Sequence, residues 1–158
     1  MPEATEIVHA TSAADIAAAK QLCLDYARGL DFSLSFQEFD AEMAGFPGEY
    51  APPGGALLLG RRHGSTVGVV ALRPLASGIC EMKRLYLVPE ARRSGLGRQL
   101  VVAVIEEARR LGYRTMRLDT VEHAMRAAIS LYRSLGFREI PAYTVNPLPD
   151  VLYMELKL

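Results

Sequence analysis

One segment constrains the fold of this chain more than any other, because it joins a strand, a basic turn and a helix. It runs Leu85-Tyr86-Leu87-Val88-Pro89-Glu90-Ala91-Arg92-Arg93-Ser94-Gly95-Leu96-Gly97-Arg98. Apolar residues end at a proline, three arginines follow, and Gly95 and Gly97 open an amphipathic helix predicted over 95–111. Free backbone N–H groups at a helix start bind anions, and glycine lets an anion approach. The segment predicts a phosphate site, with a pyrophosphate as the expected guest. The alternative is a solvated basic turn with two packing glycines.

The rest of the chain alternates strands and helices in a mixed order. Helices are predicted from Ser12 to Gly29, after the Ser35–Glu38 capping box, and over 124–135. Strands are predicted over 6–10, 56–61, 66–73, 79–88, 115–120, 137–140 and 151–158. This order indicates an α/β fold with a mixed, mostly antiparallel central sheet flanked by helices.

Composition narrows the possible functions. The 158 residues suit one domain, 1–158, and half of them are apolar, which excludes a disordered chain. Eighteen basic and eighteen acidic residues cancel, so we expect no nucleic-acid or membrane partner. Apolar runs stay far below the ~20 residues that span a bilayer, and no signal peptide is evident. Cys23 and Cys80 are too few for a disulfide scaffold, so we expect a cytoplasmic protein.

Other phosphate-binding and metal-binding patterns fit poorly. No P-loop is present, and the third glycine of a dinucleotide fingerprint is replaced by Leu100. Asp119, near the end of a later strand, nevertheless keeps a nucleotide-binding protein as an alternative hypothesis. The three histidines are scattered singly, and Cys80 has no recognisable histidine partner, so neither a metal site nor a cysteine nucleophile is expected.

Three motifs together resemble a known family. Arg92-x-x-Gly95-x-Gly97 after an apolar strand is similar to the [RQ]-x-x-G-x-[GA] acetyl-CoA motif of the GNAT superfamily of N-acetyltransferases. Residues 82–87 resemble that family's fourth strand, 128–137 its A-x-x-L-Y-x-x-x-G-F element and 153–156 its last strand. The resemblance covers residue 56 to the end. It implies a GNAT-like acyltransferase fold and transfer of an acetyl group from acetyl-CoA to an amine.

The resemblance also implies which residues bind acetyl-CoA. Backbone groups of Leu85, Tyr86 and Leu87 would hold the pantetheine arm and the acetyl carbonyl. The pyrophosphate would lie against the turn made by Arg92, Arg93, Ser94, Gly95, Leu96, Gly97 and Arg98. Family members often place an asparagine seven residues before the helix tyrosine, where this chain has Met125, so no cofactor contact is predicted there.

Two residues are candidates for catalysis by direct attack of the amine. Tyr132 matches the family's tyrosine and would protonate the leaving thiolate, although it could instead be a core residue. Glu81 lies fourteen residues before Gly95, at the spacing of the catalytic glutamate in some histone-type members, and is the candidate base. Alternatively Glu81 faces solvent or pairs with Arg117 or Lys83, and water or a loop carboxylate is the base.

The acceptor cannot be identified from such motifs. Specificity is expected on the 29–35 turn, the 45–55 loop and the 141–150 loop, and a small amine is favoured over a macromolecule. The final strands and the loop between them often form intersubunit contacts in the family that this chain resembles, so the resemblance implies a homodimer. The non-enzymatic alternative is an acyl-CoA-binding module without turnover.

Overall fold

Side chains of the central strands point alternately to the two faces of the sheet and are buried on both, which explains why helices cover both faces. In the computed structural model, which describes residues 4–30 and 38–158, consecutive residues of the second strand face opposite sides. Leu57 and Leu59 pack on one side, while Ala56 and Leu58 pack on the other. A strand buried on both faces needs a helical layer on each.

The described residues form seven strands and four α-helices. The strands are β1 Thr5–His9, β2 Ala56–Arg62, β3 Ser65–Ala76, β4 Ile79–Leu87, β5 Thr115–Val121, β6 Arg138–Ile140 and β7 Val151–Lys157. The helices are α1 Ala13–Arg28, α2 Phe39–Ala44, α3 Leu96–Arg110 and α4 Arg126–Ser134. The sheet order is β1-β2-β3-β4-β5-β7-β6, and every neighbouring pair is antiparallel except β4 and β5. The predicted mixed, mostly antiparallel α/β fold is confirmed.

The first two helices begin differently. Ser12 caps α1 by accepting a hydrogen bond from the Asp15 backbone N–H at 3.1 Å, as its spacing predicts. For α2, only Glu38 of the predicted Ser35–Glu38 capping box is among the described residues. Glu38 precedes the helix in a left-handed conformation, φ 54°, so α2 starts at Phe39, and Ser35 lies outside the described residues.

One apolar cluster packs on each face of the sheet. On one face, α3 and α4 pack against alternate residues of β2 to β5 and β7. On the other, α1, α2 and buried Tyr50 cover β2 and β3. On that second face, charged residues of β3, β4 and β5 lie beyond the helical cover, among them Arg73, Glu81 and Asp119.

The sheet divides between its two parallel strands. β4 and β5 pair only from Ile79–Thr115 to Glu81–Arg117. Beyond that point β4 stays with β3, and β5 stays with β7 as far as Val121. The β3–β4 register also shifts by one residue near Arg84, whose φ of 64° marks a bulge. A gap therefore opens between the carboxyl-terminal halves of β4 and β5.

Candidate active site

Two cavities meet in the gap between β4 and β5. The first has a volume of about 80 Å³ and the second about 130 Å³. Lys83, Arg84 and Asp119 line both of them. A group bound in one cavity is thus within reach of a group bound in the other.

Most of the residues that line the first cavity are apolar, and the cavity reaches both α1 and α4. Leu85, Met125, Tyr26 and Tyr132 line it, and Asn146 comes from the β6–β7 connection. Met125, where no cofactor contact was predicted, is thus part of the wall. Tyr26, which the sequence indicated only as part of the apolar face of α1, has its pKa raised to about 12 by burial.

Tyr132 is both a core residue and a wall of this cavity. Its side chain is 5% exposed and packs on Phe137, with ring centroids 5.5 Å apart. Burial raises the pKa of Tyr132 well above that of a free tyrosine, so the hydroxyl keeps its proton at neutral pH. Among residues 4–30 and 38–158, none forms a hydrogen bond with this hydroxyl. Within the described residues it is a proton donor without an acceptor.

The second cavity has a charged wall. Each of its cations faces an anion: Arg84 pairs with Glu42, Arg73 with Glu81, and Lys83 with Asp119. Tyr143, Thr144 and Val145 of the β6–β7 connection complete the lining. The predicted contribution of the 141–150 loop to an acceptor site is therefore consistent with where the loop lies.

Glu81 is 2% exposed, and both of its carboxylate oxygens accept hydrogen bonds. Arg73 Nε donates to Oε1 at 2.8 Å, and the Tyr143 hydroxyl donates to Oε2 at 2.5 Å. The solvent-facing alternative is wrong, because Glu81 is buried. The Arg117-paired alternative is also wrong, because Arg117 donates instead to Glu155 at 3.0 Å. The contacts with Arg73 and Tyr143 hold the Glu81 carboxylate in place. Its role as the base stays a prediction.

Lys83 occupies the junction of the two cavities, with 9% of its side chain exposed. Its ion-pair partner, Asp119 Oδ1, is 3.9 Å from Nζ, too far for a hydrogen bond. Asp119 also accepts a hydrogen bond from Asn146 Nδ2 at 3.3 Å. Burial lowers the pKa of Lys83, and the Glu81 and Asp119 charges only partly oppose that effect.

The predicted glycine turn forms the start of α3. Gly95 precedes the helix with a φ of 85°, a conformation that favours glycine, and a Cβ there would point into open space. Gly95 has no capping side chain of its own, but Ser94 Oγ accepts a hydrogen bond of 3.4 Å from the backbone N–H of Leu96, the first residue of the helix. A Cβ on Gly97 would meet only Leu87 Cδ1, at 3.3 Å. The first turn of α3, beyond Leu96, thus offers backbone N–H groups as an anion cradle of the kind that a phosphate fits.

Arginines surround this cradle, but two of them already have protein contacts. Arg92 donates from Nε to the Leu87 carbonyl at 3.1 Å, and its guanidinium lies 5.6 Å from the Tyr86 ring centroid. Arg98 contacts Ser134 Oγ at 3.3 Å. Leu85 lines the first cavity, so β4 leads from the cradle to the gap.

Comparison with known proteins identifies the family of this chain. The model of the acetyltransferase (GNAT) family matches residues 19–137, most of the chain. The chain belongs to the GNAT acetyltransferase family. It is 41% identical over 141 residues to an uncharacterized N-acetyltransferase of Schizosaccharomyces pombe, covering 88% of this chain and 86% of that protein. It is 37% identical over 111 residues to an IAA acetyltransferase of Azospirillum brasilense, covering 68% and 71%.

Solved structures have the same fold. A GNAT acetyltransferase of Staphylococcus aureus superimposes with a TM-score of 0.79 at 19% identity, covering 98% of this chain and 99% of that one. A Klebsiella pneumoniae protein assigned as an acyl-CoA N-acyltransferase gives 0.70 at 28% identity, covering 99% and 97%. The predicted GNAT fold and N-acetyltransferase activity are confirmed.

Family membership defines the reaction in outline. The protein is an N-acetyltransferase that uses an acyl-CoA donor and an amine acceptor. Membership in this family overturns the nucleotide-binding hypothesis. Asp119, on which that hypothesis depended, lines the gap beside Lys83 and Asn146. None of the described helices is long and apolar enough to cross a membrane.

Sequence reasoning missed three wall residues: Tyr26, Lys83 and Asn146. Tyr26 sits in a helix whose periodicity signals only packing. Lys83 appeared only as a possible partner of Glu81. The signal that could have found it is its position, two residues after Glu81 on the same face of β4.

Proposed function

We propose that this N-acetyltransferase transfers an acetyl group from acetyl-CoA to a small amine by direct attack in the gap between β4 and β5. The observation that carries the proposal is the meeting of an apolar cavity and a charged cavity at Lys83, Arg84 and Asp119. Acetyl-CoA supplies an activated acyl carbonyl and a thiolate leaving group. The protein must hold that donor, place the amine and move protons.

The donor end is proposed to run along β4 to the start of α3. The N–H groups of the first turn beyond Leu96 suit a pyrophosphate, and Arg92, Arg93 and Arg98 add positive charge around them. Ser94 helps to shape the turn, because its hydroxyl donates to the Ala91 carbonyl at 2.6 Å. Backbone groups of 85–87 would then bind the pantetheine arm, in agreement with the family motif.

Tyr132 is proposed as the acid that protonates the leaving thiolate. A thiol has an ordinary pKa near ~8.5 and a tyrosine near ~10, so transfer between them needs close approach. Tyr132 lines the donor cavity, and burial keeps it protonated. Its hydroxyl has no acceptor among the described residues, so it remains available to a bound sulfur.

The acceptor is proposed to bind in the charged cavity. Glu42, Glu81 and Asp119 provide carboxylates that attract an ammonium group, and the β6–β7 segment contributes Thr144 and Val145. We place Glu81 there as a wall residue held by Arg73 and Tyr143, and the family motif makes it one candidate for the base. A cavity of about 130 Å³ suits a small amine.

We further propose a cytoplasmic homodimer. Cys23 and Cys80 are buried free thiols, which suits a reducing compartment. The edge strand β6 has only three residues, and Val145 in the following loop is 90% exposed, which suits an intersubunit contact. Sedimentation that finds a monomer at high micromolar concentration would count against the dimer.

Calorimetric titration separates the function from its alternatives. The wild-type protein is titrated with CoA, NAD and ATP, and CoA alone is expected to bind. A panel of amines is then assayed with acetyl-CoA for release of CoA. CoA binding without release for any amine supports a binding module, whereas binding of NAD or ATP in preference to CoA contradicts the donor assignment.

A further inference from the structure

Lys83 lies where the two cavities meet, so a base at this position would contact both substrates of the reaction proposed above. It lines the donor cavity and the acceptor cavity. Within residues 4–30 and 38–158, its Nζ makes no hydrogen bond, and its ion-pair contact with Asp119 is long at 3.9 Å. A nearly buried amine without a hydrogen-bonded partner, at the junction of two substrate cavities, calls for a functional explanation.

We propose that Lys83, in its neutral form, takes the proton from the acceptor amine. This inference rests on the proposed function. Asp119 would attract the incoming ammonium, and the neutral Nζ beside it accepts one proton. The acceptor nitrogen then forms a bond to the acyl carbonyl carbon, and the carbon–sulfur bond breaks with its electron pair on sulfur. Tyr132 protonates that thiolate, and the second nitrogen proton restores the Tyr132 hydroxyl. Lys83 releases its proton to solvent before the next turnover.

The electrostatic surroundings of Lys83 favour this role. The titratable and charged groups facing the two cavities are Tyr26 of α1, Glu42 of α2, Arg73 of β3, Glu81 and Arg84 of β4, Asp119 of β5, Tyr132 of α4 and Tyr143 of the β6–β7 connection. Glu81 and Asp119 favour the ammonium form, while Arg73 and Arg84 oppose it. Burial adds to the arginines, and the pKa of Lys83 falls below its ordinary value.

The main competing role for Lys83 is that of a fixed counter-ion for Asp119. Lys83→Arg separates the two roles, because arginine keeps a positive charge but holds its proton up to about pH 12. Lys83→Met keeps most of the stem and removes the amine. If Lys83 is the base, both variants lose kcat by on the order of 10²-fold or more and bind CoA as the wild type does.

Lys157→Arg is the matched control. Lys157 is 67% exposed at the end of β7 and pairs with Glu155, so this variant should keep the wild-type kcat. Thermal unfolding verifies that each variant is folded. A folded Lys83→Arg or Lys83→Met variant with the wild-type kcat overturns the proposal.

A direct titration tests Lys83 without turnover. The chain has three lysines, at 20, 83 and 157, so protein labelled with ¹³C at lysine Cε gives three signals, and Lys83→Met assigns one of them. The Lys83 signal should titrate below the ordinary value of about 10.4. The acidic limb of the kcat–pH profile should lie at the pKa of the Lys83 signal. It should lie at the same pH for two acceptor amines whose own pKa values differ.

A Lys83 signal that titrates at or above about 10.4 overturns the inference. Its failure is distinguishable from failure of the proposed function. Wild-type protein that acetylates no amine contradicts the function, whereas the NMR titration still reports on Lys83 alone.

Discussion

Arg84 donates two parallel hydrogen bonds to Glu42, Nε to Oε2 and Nη2 to Oε1, each 2.8 Å long. Arg84 is the bulged residue of β4, and Glu42 belongs to α2. The pair therefore ties a helix on the acceptor side to the part of β4 that faces the donor cavity. Its side chains are only 3% and 18% exposed.

Loss of the Glu42 charge should destabilise the protein. Glu42→Gln removes the charge of the carboxylate that Arg84 holds with two hydrogen bonds, and breaking a buried ion pair in this way typically costs about 3 kcal/mol or more. We expect urea unfolding at neutral pH to show a loss of that order. Asp40→Asn, on an exposed position of the same helix, should change the free energy of unfolding by less than about 0.5 kcal/mol.

The Glu42 effect should also depend on pH. Burial tends to raise the pKa of Glu42, but the hydrogen bonds and charge of Arg84 outweigh it and lower the pKa. The stabilisation is thus present above the unfolded-state pKa of about 4.3 and is lost as the pH falls through the lower folded-state value. The difference between wild type and Glu42→Gln should shrink on acidification. A difference that stays constant from neutral pH to below the folded-state pKa contradicts this assignment.

Tyr132→Phe should slow chemistry without weakening donor binding. Removal of the proposed acid lowers kcat by on the order of 10²-fold, while calorimetry with CoA gives the wild-type affinity. Because burial raises the pKa of Tyr132, the wild type should show no alkaline limb from this residue below about pH 10. Tyr113→Phe, which removes a hydroxyl bonded to the Gly54 carbonyl, serves as the control and should keep kcat. Equal kcat in Tyr132→Phe and wild type leaves Tyr132 a core residue.

Glu81→Gln distinguishes the two candidate bases. The Glu81 charge raises the pKa of Lys83, so its removal should lower that pKa further. If Lys83 is the base, the acidic limb of the kcat profile moves to lower pH and persists. If Glu81 is the base, the limb disappears and kcat falls by on the order of 10²-fold. Glu49→Gln, an exposed neighbour of Arg73, should leave the limb in place.

Gly97→Val should impair donor binding selectively. Among the described residues, a Cβ at this position meets only Leu87 Cδ1, at 3.3 Å, and this flexible side-chain end can move by the small amount needed, so the variant should fold. It would protrude into the space proposed for the pyrophosphate and lower CoA affinity tenfold or more, about 1.4 kcal/mol. Glu106→Val introduces the same β-branched residue at an exposed position further along α3 and should bind CoA normally. Normal CoA binding by folded Gly97→Val would move the pyrophosphate elsewhere.

The turn before α3 was predictable because its determinants are local. Glycine at a positive φ, an apolar strand before it and helical periodicity after it all lie within one short segment. Tyr132 could be predicted for a similar reason, since its motif is contiguous in the sequence. Both depend on short-range patterns that survive without knowledge of the tertiary structure.

The partner of Glu81 could not be predicted in this way. Arg73 of β3 and Arg117 of β5 both lie opposite Glu81 in the sheet. Arg117 also lies opposite Glu155 of β7 and donates to it, which leaves Glu81 to Arg73. The choice depends on a strand that joins the sheet last in the sequence.

Lys83 was missed because its burial depends on tertiary structure. A lysine in a strand is ordinarily exposed, and this one is enclosed only because β4 and β5 separate beyond Glu81 and Arg117. Nothing in the sequence marks where two distant strands stop pairing.

The account is tested most directly by mass spectrometry of the products from acetyl-CoA and a panel of small amines. The wild type should form an N-acetylated amine and an equal amount of CoA, and Tyr132→Phe should form both more slowly by on the order of 10²-fold. Wild-type protein that binds acetyl-CoA but acetylates no amine, or a Tyr132→Phe variant as fast as wild type, would contradict it.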